Sequence, residues 1–147
     1  MRVSTKGHYG IRALIELAHH YPDARPMQSN EIASRQKIPE SYLEQLLTTL
    51  RRAGFIRSVR GPQGGHALLR EPQDIPAAEV IEALEGPIMP SDCLEEHSNC
   101  SQNGGCAQHD MWAEVRDAVL GVLNNVTIAD LAERDRAAQP VGARYMI

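Results

Sequence analysis

The chain has 147 residues, 42% of them hydrophobic and 23% charged, a composition typical of a soluble globular domain. Only one Phe and one Trp occur, so we expect an aliphatic core, which favours helices. No apolar run approaches the roughly 20 residues that a membrane span needs, and the amphipathic start differs from a signal peptide. These features exclude membrane-embedded functions and predict a cytoplasmic protein without a membrane partner.

The net charge of −4 hides a difference between the two halves of the chain. Residues 1–72 contain 11 Lys and Arg against 6 Asp and Glu, a net charge of +5. Residues 73–147 contain 4 against 13, a net charge of −9. A basic half suits a polyanion partner, and the acidic half need not touch that partner. Chance clustering on a solvated surface is the alternative, so charge alone does not decide between them.

Three helices are predicted in the basic half. The first covers about residues 5–20, where apolar side chains recur at helical spacing. Ser29 is expected to cap the second helix, and Pro39 to occupy the first position of the third. The third helix covers residues 40–53 and ends at Gly54. Its buried face is predicted to consist of Leu43, Leu46, Leu47 and Leu50.

Two short strands are predicted after the third helix, at residues 55–59 and 66–69. Between them, Arg-Gly-Pro-Gln-Gly-Gly at residues 60–65 has the composition of a hairpin tip. Two helices joined by a tight turn and followed by a hairpin form the pattern of a winged helix-turn-helix domain, which we place at residues 1–86. The predicted fold class is therefore mainly α with a small β-hairpin wing.

The acidic half is predicted to begin with a helix at residues 77–84 that closes at Gly86. A long helix is expected at about residues 107–124, and a last short helix starts at Thr127, where Thr-Ile-Ala-Asp resembles a capping box. We therefore assign a cysteine-rich cluster-binding loop (87–107), a dimerisation helix with the short helix (108–135) and a flexible tail (136–147).

The outer face of the third helix carries side chains that can read base edges or bind phosphates in a major groove. Glu44 points outward near the helix start and can accept from a cytosine amino group, so it is a candidate discriminator between DNA sites. Arg60 at the hairpin tip can enter a narrow minor groove. An ordinary solvated face is the alternative. The predicted DNA-binding residues are Ser41, Glu44, Gln45, Thr48, Arg52, Arg60, Gly61 and Gln63.

All three cysteines lie in one polar stretch with the spacing Cys-x6-Cys-x5-Cys, and a histidine follows three positions later. Soft ligands in a loop without a core of its own suggest that a metal or a cluster organises it. Iron–sulfur clusters tolerate this wide spacing, whereas structural zinc sites usually contain a Cys-x2–4-Cys knuckle. Zinc and free thiols remain alternatives, and His97 competes as the fourth ligand. The predicted ligands are Cys93, Cys100, Cys106 and His109.

Several segments together resemble the IscR/NsrR/RirA family of winged-helix regulators, the Rrf family. Besides the cysteine loop, they are MRVSTKGHYG (1–10), SYLEQLL (41–47), SVRGPQGG (58–65), IEALEG (81–86) and LNNVTI (123–128). The resemblance covers about residues 1–135. It implies a homodimeric regulator that binds a double-stranded DNA operator with an affinity set by the state of an iron–sulfur cluster.

Within that family, the three cysteines with His109 look most like the IscR members, which implies a 2Fe–2S cluster in preference to 4Fe–4S. Other members hold 4Fe–4S clusters and take a fourth ligand near the N-terminus of the partner subunit, a position that here lies near His8. The chain departs from the IscR pattern by a longer first gap between cysteines. It also has Gln63 where the wing usually has glycine and His66 where an aromatic is usual. Cluster type and fourth ligand therefore stay open.

The long helix carries apolar residues at alternating spacings of three and four, which is a heptad seam. Pairing two such helices would set two recognition helices at half-sites about one DNA turn apart, and packing against the chain's own core is the alternative. We hypothesise that a bound cluster holds the loop against the start of this helix and thereby biases the relative orientation of the two winged domains. The seam consists of Trp112, Val115, Val119, Val122 and Val126.

The predicted function is a transcription regulator, in the first place a repressor, of genes for iron–sulfur biogenesis or iron and redox homeostasis. A cluster-free member of the same fold, which senses thiol redox state or controls sulfur metabolism, is the alternative. An iron–sulfur electron or cluster carrier is less favoured, because a carrier needs no groove-reading helix. The sequence contains no P-loop, nucleophile elbow or second metal-ligand set, so no enzymatic activity is expected.

Overall fold

A computed structural model describes residues 2–23, 25–95, 101 and 105–139. Within them the chain is mainly helical, with a single two-stranded antiparallel hairpin, which confirms the predicted fold class. Short 3₁₀ turns occupy Pro72–Asp74 and Asp92–Leu94. The helices and strands are α1 (Thr5–His19), α2 (Ser29–Gln36), α3 (Glu40–Arg52), β1 (Ile56–Val59), β2 (Gly65–Leu68), α4 (Ala77–Glu85), α5 (His109–Asn125) and α6 (Ile128–Ala138).

The core is aliphatic and lies where α1, α2, α3, α4 and α6 meet. The four leucines of α3 are all buried, as their spacing predicts, and they pack with Leu14 of α1 and Ile32 of α2. Burying one such side chain stabilises the fold by about 1.5–3 kcal/mol. The leucine face therefore fixes the opposite face of α3 toward solvent. The buried leucines of α3 are Leu43, Leu46, Leu47 and Leu50.

The second and third helices start at Ser29 and Glu40 as predicted, but the roles predicted for Ser29 and Pro39 are wrong by one position. Ser29 is the first residue of α2 and not its cap, which is Gln28, and no side chain caps this end. Pro39 is the cap of α3, with Glu40 as the first helical residue. The stop at Gly54 is confirmed, because this residue has φ +84°, a conformation that side chains rarely adopt.

A buried carboxylate joins α1 to α2. Glu16 is only 6% exposed, and its carboxylate accepts hydrogen bonds from Arg35 Nη1 at 3.2 Å and from Gln36 Nε2 at 2.8 Å. Arg12 donates in turn to the carbonyl oxygen of Gln36. Because these bonds compensate for the desolvation of the carboxylate, they fix the first two helices relative to each other.

The hairpin is attached to the segment in front of α2. Its register pairs Ile56 with Leu68 and Val59 with Gly65. The backbone N–H of Met27 donates to His66 O at 2.8 Å, and the N–H of His66 donates to Met27 O at 2.7 Å. Gly65 has φ +147°, and a Cβ there would overlap the Met27 carbonyl, so this close approach requires glycine. The base of the wing is thus fixed to the helix-turn-helix.

The C-terminal helix packs against the first helix. Thr127 caps α6, and its side chain and that of Asp130 form the predicted capping box. Ile128 and Ala132 are buried, and His19 Nε2 lies 2.7 Å from Asp135 Oδ2. The helix continues through Ala138, so residues 136–138 are helical and not part of a loose tail. Residues 140–147 lie outside the described part of the chain.

The long helix α5 contributes no buried residue to the core, although it contacts α4 and the 3₁₀ turn Asp92–Leu94. Its C-terminal end is fixed by backbone hydrogen bonds: Ala77 N–H donates to Val126 O at 2.8 Å, and Ile128 N–H donates to Ile75 O at 2.9 Å. The end of α5 is therefore attached to the residues that lead into α4. None of the described helices is both long and apolar enough to cross a lipid bilayer.

Candidate DNA interface and cysteine loop

The outer face of α3 presents the polar side chains predicted to read DNA. Ser41, Glu44, Gln45 and Arg52 are exposed, while Thr48 is half-buried. The Thr48 hydroxyl donates to the carbonyl oxygen of Glu44 at 3.0 Å, so toward a base or a phosphate its oxygen is left as an acceptor. The structure places these side chains on the face opposite the leucines, because both sets follow the helical period.

The wing tip presents the second predicted group. Arg60, Gly61 and Gln63 are exposed, and the turn is closed by the N–H of Gly64, which donates to Gly61 O at 2.9 Å. Gly61 has φ +105°, which a side chain would disfavour. A long Arg60 side chain on a tight turn is suited to enter a groove or meet a phosphate.

A polar groove separates the wing from the starts of α2 and α3. Exposed arginines border the recognition surface, with Arg51 and Arg52 at the end of α3 and Arg57 on β1. Cations beside a polar groove attract a phosphate backbone. The residues that line the groove include Gln28, Ser29, Asn30, Glu44, Gly61 and His66.

His66 is a residue of this groove that sequence reasoning did not assign to the interface. Its ring nitrogens lie 3.0 Å from Ser29 Oγ and 3.1 Å from Ser58 Oγ. Partial burial lowers the pKa of His66 below its ordinary value of 6.5. The sequence feature that could have indicated a role for His66 is that a histidine stands where the wing usually has an aromatic residue.

The structure describes the cysteine loop mainly at its two ends. Cys93 and Cys106 are half-buried free thiols, and Cys93 Sγ lies 3.2 Å from Ser91 Oγ. The N–H of His109 donates to Cys106 O at 3.3 Å, so these two predicted ligands lie within one turn at the start of α5. Cys100 and the competing His97 lie outside the described residues.

Both described ends of the loop adjoin α5. The 3₁₀ turn that contains Cys93 contacts α5, whose first residue is His109. The His109 ring is 45% exposed, and its Nδ1 lies 3.4 Å from Asp110 Oδ1. Within residues 2–23, 25–95, 101 and 105–139, no three His, Cys, Asp or Glu side chains are grouped closely enough to hold a metal ion. The donor chemistry thus suits a soft metal or an iron–sulfur cluster, without a preformed ligand set in this part of the chain.

His8, the alternative fourth ligand, lies exposed in the first turns of α1. Its exposure leaves the imidazole accessible to a second subunit.

A recognition helix with a polar outer face, followed by a hairpin with an arginine at its tip, defines a winged helix-turn-helix DNA-binding protein. The family model described as Rrf2, iron-dependent transcriptional regulator, matches residues 3–134. The chain therefore belongs to the Rrf2 family of transcriptional regulators.

Two kinds of relative match nearly the whole chain. The HTH-type transcriptional regulator CymR of Bacillus subtilis is 42% identical over 132 residues, 90% of each chain. Its solved structure, described as the global cysteine regulator, has a TM-score of 0.77 and covers 91% of this chain and 98% of its own. The regulator IscR of Photobacterium profundum is 37% identical over 146 residues, 98% of this chain and 82% of that protein. The T. potens IscR structure is 37% identical with a TM-score of 0.76, and the match covers 99% of this chain and 96% of that chain.

Replacing Arg60 by alanine is expected to lower DNA affinity by about fivefold to tenfold at sites with A/T-rich flanks, and less at G/C-rich flanks. The reason is that a narrow minor groove concentrates negative potential around an inserted guanidinium. Titration of matched duplexes that differ only in the flanking bases measures the effect. Arg57→Ala on β1 is the control for a general loss of positive charge. An equal loss at both kinds of flank would identify Arg60 as a phosphate contact instead.

Proposed function

We propose that the protein is a homodimeric transcription repressor whose operator affinity is controlled by an iron–sulfur cluster, and that it regulates iron–sulfur biogenesis or iron and redox homeostasis. The proposed ligands are Cys93, Cys100, Cys106 and His109, with His8 of a partner subunit as the alternative fourth ligand. The observation that carries the proposal is that the 3₁₀ turn containing Cys93 contacts α5, the helix that begins at His109 three residues after Cys106.

The thiols and the imidazole have the chemistry that such a cluster requires. Thiolates are the usual ligands of iron in these clusters. A histidine as the fourth ligand makes the site sensitive to protonation. A bound cluster supplies a redox-active centre that iron supply and oxidants can change. The proposal favours 2Fe–2S over 4Fe–4S because the three cysteines with His109 resemble the arrangement in the IscR members of the family. The half-buried thiol of Cys93 and the helix-start position of His109 would hold the group against α5.

A path connects the loop to the recognition surface. Cys106 and His109 lie at the N-terminal end of α5, and the residues after its C-terminal end are hydrogen-bonded to residues 75–77. α6 follows directly and packs against α1 of the DNA-binding domain. A reorientation of α5 at the loop would therefore be transmitted to both domains of a dimer. A coupling free energy of about 1–3 kcal/mol changes affinity by about 5-fold to 150-fold, which is enough for a switch.

The proposed dimer uses the apolar face of α5. Met111 is 47%, Val115 37% and Val122 63% exposed, and apolar side chains in a row on an exposed helix favour a partner. The predicted heptad seam follows the same face as far as Val122, whereas Val126 is the extended residue that follows the helix. Two such helices side by side would bring two recognition helices to adjacent half-sites.

A second candidate function rests on the same residues. Because a relative that matches 90% of the chain is a cysteine regulator, the free thiols of Cys93 and Cys106 would respond directly to oxidants or to sulfur metabolites without a cluster.

Purification without oxygen separates the two candidates. Cluster control predicts brown protein with visible absorption and with iron and acid-labile sulfide in equal amounts, all lost in the triple variant Cys93→Ala, Cys100→Ala, Cys106→Ala. Ser91→Ala, next to Cys93, is the control that should keep the colour. Colourless wild-type protein that still changes its DNA affinity on thiol oxidation would support the second candidate and contradict the first.

A further inference from the structure

A chain of hydrogen bonds crosses the wing and reaches both helices of the helix-turn-helix. Arg51 Nη1 of α3 donates to Ser58 Oγ of β1 at 3.5 Å. Ser58 Oγ lies 3.1 Å from His66 Nδ1 of β2, directly across the hairpin in the ladder register. His66 Nε2 lies 3.0 Å from Ser29 Oγ, at the first residue of α2. Four elements are therefore linked through one imidazole.

The donors and acceptors of this chain are compatible with either neutral tautomer of His66. A guanidinium can only donate, so the oxygen of Ser58 accepts from Arg51, and the same hydroxyl can either donate to a bare Nδ1 or accept from Nδ1–H. Nε2 then donates to, or accepts from, the hydroxyl of Ser29. Neutral imidazole satisfies both serines in this arrangement, whereas a phenyl ring would pack in the same space without bonding to either.

We propose that His66 is a positioning residue for DNA binding, whose imidazole holds the wing against the helix-turn-helix through Ser58 and Ser29. The inference rests on DNA binding as the activity of the chain and adds a residue that sets the angle between wing and recognition helix. The backbone pairing of His66 with Met27 fixes the base of the wing, and the side-chain bonds fix its orientation. A wing that can tilt loses the simultaneous fit of Arg60 and α3 to neighbouring grooves.

The charged groups around His66 make this link dependent on pH. Glu44 of α3 raises the pKa of His66 and Arg51 of α3 lowers it, while burial is the largest influence and also lowers it. His20 and Arg25 line the cavity behind the ring. Because the pKa is below 6.5, the neutral ring is the folded form at neutral pH. The contribution of the neutral imidazole to holding the wing is complete above pH 6.5 and is lost as the pH falls through the lowered pKa of His66. Burial of the ring and the nearby Arg51 guanidinium both oppose the imidazolium form.

The test compares wild type with His66→Phe on a duplex that the wild type selects from a random-sequence pool. At pH 8 the variant is expected to bind about fivefold to tenfold more weakly, as the loss of two side-chain hydrogen bonds implies. The ratio of the two affinities should shrink toward one as the pH is lowered from 8 through the lowered pKa of His66. His20→Gln, which changes another histidine of the same cavity, should leave the ratio to wild type unchanged across this range. Adding Ser58→Ala to the His66→Phe variant should lower its DNA affinity little further.

Several results would contradict the inference. Equal affinity of wild type and His66→Phe at pH 8 would overturn it, and so would a ratio that grows on acidification, since that would mark His66 as a cation that contacts DNA. If His66→Phe does not fold, the double variant Ser29→Ala, Ser58→Ala removes both bonds and keeps the imidazole. Wild-type affinity in that variant would equally reject the proposal. A wild-type protein that selects no duplex would instead contradict DNA binding itself.

Discussion

Operator affinity is expected to change by about 5-fold to 150-fold when the three cysteines are replaced together by alanine in protein reconstituted with iron and sulfide without oxygen. The variant lacks every thiolate ligand, so the loop cannot be joined to the start of α5 through Cys106 and Cys93. The bias that a bound group exerts on α5, and through α6 on α1, would then be absent. The measurement is a DNA titration under anaerobic conditions at fixed salt, because phosphate contacts make the affinity strongly salt-dependent.

The control for this prediction is iron-free, reduced wild-type protein, which should bind as the triple variant does. If the iron-loaded wild type also binds identically at every site tested, the cysteine loop does not control DNA binding through a cluster. A difference that appears only after treatment with a thiol oxidant would assign the control to the cysteines themselves.

Introducing charge on the exposed apolar face of α5 is expected to dissociate the dimer. The double variant Val115→Glu, Val122→Glu would bury unpaired carboxylates at the proposed interface, which costs far more than the apolar contact it replaces. Loss of the second DNA-binding domain removes the gain from bivalent binding, so affinity for a two-half-site operator should fall by about 100-fold or more. Sedimentation equilibrium and titration of a two-half-site duplex measure the two effects.

Asn124→Glu is the matched control, since Asn124 is an exposed residue of the same helix outside the predicted seam. It should remain dimeric and bind with wild-type affinity. A double valine variant that stays dimeric would show that another surface joins the subunits, and it would leave the exposed face of α5 without its proposed role.

Much of the DNA-binding half can be predicted from sequence because its signals are local. The spacing of Leu43, Leu46, Leu47 and Leu50 defines the buried face of α3, and so it also defines the outer face that carries Ser41 and Gln45. Gly54 and the capping box at Thr127 mark helix ends through the conformation and hydrogen bonds of only a few residues. Errors of one position arise at Ser29, which is the first helical residue and not the cap, and at Pro39, which is the cap and not the first helical residue.

The candidate cysteine site is predicted by composition and spacing, but its surroundings are not. Residue types alone indicate that Cys93, Cys106 and His109 are soft ligands. That the 3₁₀ turn at Cys93 contacts α5 follows from packing between segments that are distant in sequence. The seam on α5 remains a prediction from periodicity, supported by the exposure of Val115 and Val122.

By itself, the sequence determined the helices, the leucine face of α3, the hairpin and the family, because each depends on neighbours within a few turns or on a recognisable run of residues. Only the tertiary structure decided that α6 packs on α1, that residues 126–128 bind residues 75–77, and that His66 links Ser29 to Ser58. These contacts join residues 8 to 116 positions apart. Their partners are chosen by how the whole core closes, which no local pattern encodes.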